Sequence, residues 1–220
     1  MKYTCAFPLV VLLLLSSLVE SRDISADRPG LQQRREPPHH GKSALMARYI
    51  VNEANWTSVA TISTDPRLTS YPYVNIVSSS DGPLGNGSGV PYLFLTPLDS
   101  TSKDLSKDNR ATLMMSLVQG DWCKVKGYDP MDPRCARVII SGRIKSVEEK
   151  DVDHESAKSA IFGRHQWLSH MPANHHFYFA RMEIETIDVL AFFGGAARVT
   201  PEDYYRASEE SLRAYRSLYR

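Results

Sequence analysis

Hydrophobic and polar positions follow two periods along this chain. Leu45, Met46, Tyr49 and Ile50 recur at helical spacing on one stripe, with Ser43 placed to cap the helix that carries them. Short runs divided by turn residues come next and predict strands over 56–64, 73–78, 90–96 and 112–118, with a short polar helix within 98–109. Residues 137–145 alternate, with Val138, Ile140 and Ile144 on one face and Arg137, Ser141, Arg143 and Lys145 on the other. Asp151 or Asp153 caps a helix whose buried stripe is Ala157, Ala160, Ile161 and Leu168. A long strand over 177–193 slips phase between Ile184 and Ile187, which predicts a bulge. Thr200-Pro201-Glu202-Asp203 opens a last helix, with a hydroxyl cap, proline in the first turn and acids at the positive helix end. About six strands and four helices, with strands in succession and helices interposed, predict an α+β barrel and not a doubly wound sheet.

The start of the chain breaks this pattern. Lys2 is followed by the apolar run 6–15 and then by Ser16, Ser17 and Glu20. That run falls short of the ~20 residues a membrane span needs, so it reads as a signal peptide over 1–21 and not as an anchor. Val19 and Ser21 suit a signal peptidase site, which places cleavage after Ser21. Residues 22–42 are polar, charged and proline-bearing, a flexible leader in which Arg34-Arg35 is a candidate processing site. About 200 residues remain, one ordinary domain over 43–206 with a tail at 207–220. No later stretch is apolar enough to span a bilayer, so the expected product is soluble and secreted or endo-lysosomal. The formal charge of +1 offers no basic excess for nucleic acid.

Cysteine use fits that compartment. Cys5 leaves with the signal, and Cys123 and Cys135 remain as a pair around a loop bearing Gly127, Pro130 and Pro133. They form either a disulfide or two buried thiols; the oxidising route favours the bond, worth about 3 kcal/mol for so short a loop. Two N-glycosylation sequons lie in the mature chain, Asn55-Trp56-Thr57 and Asn86-Gly87-Ser88.

Catalytic chemistry is hard to find. The glycine-rich segment 81–89 runs into a strand and not a helix N-terminus, and no lysine follows, so it reads as a mobile connection and not a phosphate cradle. His154, His165, His170, His175 and His176 crowd one stretch without the i, i+4 spacing of a metal site; His175 and His176 are expected to begin a strand, on opposite faces. Glu183, Glu185 and Arg181 alternate as a solvated strand face. No nucleophile elbow or carboxylate pair stands out, so no catalytic, cofactor or metal residue is assigned.

Several motifs together resemble one family. They are Ala60-Thr61-Ile62-Ser63-Thr64, Ser78-Ser79-Ser80-Asp81-Gly82-Pro83, Gly87-Ser88-Gly89-Val90-Pro91-Tyr92, Pro97-Leu98, the cysteine loop with Asp129-Pro130, Phe193-Gly194-Gly195 and Val199-Thr200-Pro201-Glu202-Asp203-Tyr204-Tyr205. In order and spacing they resemble the CREG glycoproteins, a family of cellular repressors. The resemblance implies a split β-barrel of the FMN-binding, pyridoxamine-phosphate-oxidase-like type, assembled as a homodimer. It implies a secreted and lysosomal glycoprotein without flavin or enzymatic activity, restraining growth, promoting differentiation and engaging the mannose-6-phosphate/IGF-II receptor through glycans. The same scaffold leaves a flavin-dependent oxidoreductase or haem-degrading enzyme as the alternative. Flavin-binding relatives hold the cofactor phosphate with Arg and Lys on pocket strands, and 73–78 and 90–96 contain neither; Arg137, Arg143 and Lys145 remain available. A non-functional FMN pocket is therefore expected. The apolar content of 112–118 and 177–193, with Phe177 and Phe179 beside Arg181, predicts an exposed stripe at a dimer interface unless helices of the same chain cover it.

Overall fold

The computed structural model describes residues 36–207 and residue 211. The signal segment, its cleavage point after Ser21, the Arg34-Arg35 pair and nearly all of the tail lie outside the described residues. In chain order the elements are α1 (Ser43–Glu53), β1 (Trp56–Ile62), β2 (Pro72–Ser80), β3 (Tyr92–Leu95), α2 (Ser100–Leu105), β4 (Arg110–Ser116), α3 (Trp122–Lys126), β5 (Arg137–Val147), α4 (His154–Arg164), β6 (Tyr178–Leu190), β7 (Ala197–Val199) and α5 (Pro201–Arg206). The sheet order β3-β2-β1-β4-β5-β6 closes where β3 pairs with β6, and β7 adds to the free edge of β6. This is a split β-barrel with peripheral helices.

The interior follows from strand alternation. Val59, Leu113, Val138, Ile140, Met182 and Ile187 are almost fully buried, while their strand neighbours face outward. Ser141 pairs with Thr186 but Gly142 pairs with Ile184, so Glu185 is the extra residue of a bulge, at the predicted phase slip. Glycine is required at 142 because a Cβ there would strike the Glu183 carbonyl oxygen. A satellite cluster lies under α4, where Ala157, Ala160 and Ile161, with Leu168, cover Tyr92 and Phe179.

Local rules and tertiary burial divide the helices. Thr200 caps α5 by accepting the Asp203 amide, and Asp99 caps α2 by accepting that of Thr101. Ser43 is not a cap: it is the first helical residue, and Lys42 precedes it without a side-chain bond to the helix. Burial holds α1 instead, since Met46 to Asn52 are all buried. Asp153 occupies the N-cap position of α4 without a side-chain bond to the helix; its carboxylate takes Arg181 at 2.7 Å.

Other expectations need correction. The cysteine loop is not wholly irregular, because it begins with α3, which ends at Gly127 with φ +67. Cys123 and Cys135 are bonded, their Cα atoms 5.4 Å apart. Leu168 lies beyond α4, on the 3-10 turn Gln166–His170. His175 ends another 3-10 turn and His176 has φ +51, so neither begins a strand. Phe192 and Phe193 fall past the end of β6, and β7 is a strand the sequence pattern did not reveal.

Candidate functional site

The glycine-rich segment is where the chain concentrates its buried polar groups. Arg48 and Asn52, one turn apart on α1, point the same way into it. Arg48 donates to the carbonyls of Ser88 at 2.9 Å and Gly87 at 2.7 Å. Asn52 donates to Asp81 Oδ1 at 2.8 Å and accepts the Gly85 amide at 2.6 Å. Asp81 Oδ2 accepts the Gly89 amide at 3.0 Å. From α5, the fully buried Tyr204 donates to the Gly89 carbonyl at 2.8 Å, and its ring lies 5.3 Å from the Arg48 guanidinium. From the end of α4, Arg164 donates to the Asn52 carbonyl at 2.9 Å, and His165 Nε2 lies 3.1 Å from the Ser79 carbonyl.

This knot binds the segment to three helices, so it is not the loose connection its composition predicts. Burial pushes the Asp81 carboxyl above its ordinary range, against the pull of Asn52, the Gly89 amide, Arg48 and Arg164. Tyr204 is raised well above the usual phenol value, again by burial. The groups bond to one another and to backbone, which makes the knot a structural device with no free nucleophile. Sequence reasoning missed it, although a polar i, i+4 pair within an apolar helix was its available signal.

The barrel end near α2 is the second place where chemistry is concentrated. Asn75 on β2 donates to Asp99 Oδ2 at 2.8 Å and to the Thr101 hydroxyl at 3.1 Å. The buried Asp104 accepts the Thr61 hydroxyl at 2.8 Å and the Thr64 amide at 2.7 Å. Two carboxylates therefore sit on α2 and its cap, beside strands that carry no base. Of the basic residues of β5, Arg143 pairs with Glu185 at 3.1 Å and Arg137 donates to the Met131 carbonyl at 2.8 Å, while Lys145 pairs with Glu183 at 2.8 Å and lines a cavity of about 600 Å³ beside α2. Beside α2, strands β1 and β2 offer no cation to a cofactor phosphate and Lys145 offers one.

The other candidates are scattered. Among the described residues no three His, Cys, Asp or Glu side chains come together to hold a metal ion. The Arg181, Glu183 and Glu185 face is less solvated than its alternation suggests, since Arg181 bridges Asp153 and Glu183. Asn55 is exposed and accepts Arg164 at 2.6 Å through Oδ1, which leaves Nδ2 for a glycan. Asn86 is exposed at the rim of the knot. No helix among the described residues is long and apolar enough to cross a membrane.

The anticipated exposed stripe is present in part. Phe179 is only 8% exposed because α4 covers it, so that face is closed by the chain itself. Met114 and Val118 of 112–118 and Phe192 and Phe193 at the end of 177–193 are exposed, and the open apolar face extends from β4 across β1 and β2. Val74 and Ile76 are 61% and 63% exposed there and Met114 41%. Ser58 stands between Ile76 and Met114 in the pairing, and Ala60 between Val74 and Thr112.

The sequence and the fold both have counterparts. The CREG beta-barrel family profile matches residues 38–206. Protein CREG1 of Mus musculus is 37% identical over 186 residues, covering 84% of this chain and 81% of the mouse protein. Protein CREG1 of Homo sapiens is 39% identical over 171 residues, 78% of this chain and 77% of the human one. Among solved structures, a heme binding protein from Mycobacterium smegmatis superposes with a TM-score of 0.58 at 18% identity, over 78% of this chain and 62% of its own. A Clostridium acetobutylicum protein related to general stress protein 26, of the pyridoxinephosphate oxidase family, gives 0.51 at 12% identity, over 74% and 98%. These two likenesses show the fold alone. The family profile spans nearly the whole described domain and the CREG1 relatives cover most of the chain, so this protein belongs to the CREG family.

Proposed function

We propose that this protein is a non-enzymatic glycoprotein, secreted and endo-lysosomal, that acts through surface recognition and not through a cofactor. On this reading it restrains growth, promotes differentiation and takes part in lysosomal and endocytic homeostasis, engaging a mannose-6-phosphate/IGF-II-type receptor through its glycans. It works as a homodimer, with the open face of β1, β2 and β4 as the contact between copies.

The observation that carries the non-enzymatic reading is the bond from Asn75 to Asp99. It puts a carboxylate at the start of α2, beside β1 and β2, which carry no basic residue to hold a cofactor phosphate. The alternative is a flavin-dependent oxidoreductase or haem-degrading enzyme. It draws on the fold neighbours, one of them named as a heme binding protein. The visible spectrum separates the two. Protein purified from a secretory host should show no absorbance near 450 nm after incubation with flavin mononucleotide. Tight, saturable binding would promote the enzyme reading. A pull-down of the receptor with glycosylated and deglycosylated protein, compared side by side, tests the partner.

A further inference from the structure

Between the glycine-rich segment and α4 lies a groove of about 580 Å³, walled on one side by Asp81, Gly87 and Ser88 of the polar knot. Its size is within the range of small-ligand sites, about 300–1,000 Å³. Asn86 and Ser88 line one side, and Glu155, Ser156 and Ser159 of α4 line the other. Tyr92 and Ala160, 5% and 4% exposed, supply apolar surface between them.

We infer that this groove is a cradle for the chain's own carbohydrate: the N-acetylglucosamine core of a glycan on Asn86 lies along α4. The inference rests on the reading that Asn86 is glycosylated. Four observations carry it. Asn86 is exposed, and among the described residues only its backbone amide is hydrogen-bonded, donating to the Pro83 carbonyl at 3.0 Å. Ser156 and Ser159 are exposed and three residues apart, so they share one helix face, and neither hydroxyl is bonded among the described residues. A sugar ring presents hydroxyls on its rim and apolar C–H faces, which suits two free hydroxyls, the Glu155 carboxylate and the apolar surface of Tyr92 and Ala160. Finally, the anchor is already ordered by Asp81, Asn52 and Arg48, so little conformational freedom remains to be lost when the sugar packs.

The placement has a consequence for the protein. A core held on α4 joins the glycine-rich segment to that helix a second time, in addition to Arg164. It also fixes the direction in which the outer sugars leave the surface.

The test uses full-length protein secreted from a glycosylating host, with Asn55→Gln in every form so that only the Asn86 glycan is scored. Peptide mapping reads occupancy at Asn86. An endoglycosidase then trims the glycan to one N-acetylglucosamine, and the melting temperature is compared with that of Asn86→Gln. Two hydroxyl contacts predict that the trimmed form melts about 4 °C higher. In the Ser156→Ala, Ser159→Ala background most of that difference should vanish, since the gain in helix propensity from alanine is common to both forms. An occupied Asn86 whose effect on melting is the same with and without the two serines overturns the cradle. An unoccupied Asn86 overturns the glycosylation reading beneath it. The two failures are therefore told apart by mass alone.

Discussion

Asn75 donates to the Asp99 carboxylate at 2.8 Å, and the same side chain of Asp99 accepts the Thr101 amide at 3.0 Å. One carboxylate thus joins β2 to α2 and caps the helix. The cap and the bond to Asn75 are separable. Asp99→Ala should lower stability by about 2 kcal/mol, because it loses both the cap and the Asn75 bond, whereas Asp99→Asn keeps the cap and should cost about 1 kcal/mol, because its NH2 faces that of Asn75. Urea unfolding of the two variants reads the difference. Equal losses would mean that the bond to Asn75, and not the cap, holds α2.

The polar knot makes a sharper steric prediction. A Cβ at Gly87 would strike the Asp81 carboxylate and the Asn52 amide. One at Gly89 would strike the Arg48 guanidinium, at a φ of +86 that side chains rarely adopt. Gly87→Ala and Gly89→Ala should each destabilise by about 2 kcal/mol or more. Gly163 in α4 has nothing within 4 Å of its Cβ position. Gly163→Ala should therefore be neutral or stabilise by up to about 1 kcal/mol. Thermal melts of the three variants check the contrast.

These glycines also mark what a sequence reveals and what it hides. Strand alternation made the interior residues Val138, Ile140 and Ile144 legible, and a slipped phase made the bulge near Glu185 legible, because both follow from a period of two. Thr200 was legible as a cap because its bond is local. The partnership of Arg48 and Asn52 with Asp81 was not, because it joins a helix to a loop across the fold and leaves no periodic trace. The covering of Phe179 by α4 was undecided for the same reason: an apolar face looks alike whether a helix or a second chain closes it. Ser43 misled in the opposite sense, since a good capping residue stood next to a helix start that tertiary burial had set one residue earlier.

The apolar face left open on β1, β2 and β4 is the contact proposed for a homodimer. Ser58 and Ala60 are small and lie between the larger Val74 and Ile76 on one side and Met114 on the other. Val74→Glu with Ile76→Glu should give a monomer by light scattering at micromolar concentration, where the wild type gives a dimer. A charge at Val125, 71% exposed on α3, should leave the mass unchanged. Wild-type protein that stays monomeric on concentrating would remove the dimer altogether.

The last prediction concerns acid, and its sign depends on which aspartates titrate. Asp65 and Asp108 each accept both the side chain and the backbone amide of an arginine two residues on, which holds their carboxyls down at about 2. A depressed group stabilises above its unfolded value, 3.8, and that stability is lost only as pH falls toward about 2. Neither contributes a slope between pH 4.5 and 7.5. Asp81 is the opposite case, since burial raises its carboxyl above 3.8. A raised carboxyl favours the protonated folded state, so its contribution is full at low pH and is lost as pH rises through the folded value. The groups acting on it are Arg48 from α1, Arg164 from α4 and Tyr204 from α5. His165 Nε2 lies 3.1 Å from the Ser79 carbonyl nearby. The wild-type melting temperature should therefore rise relative to that of Asp81→Asn as pH is lowered from 7.5 to 4.5, even though the variant is less stable overall. Calorimetry of both proteins across that window measures the difference, and parallel pH profiles would show that Asp81 keeps its charge inside the knot.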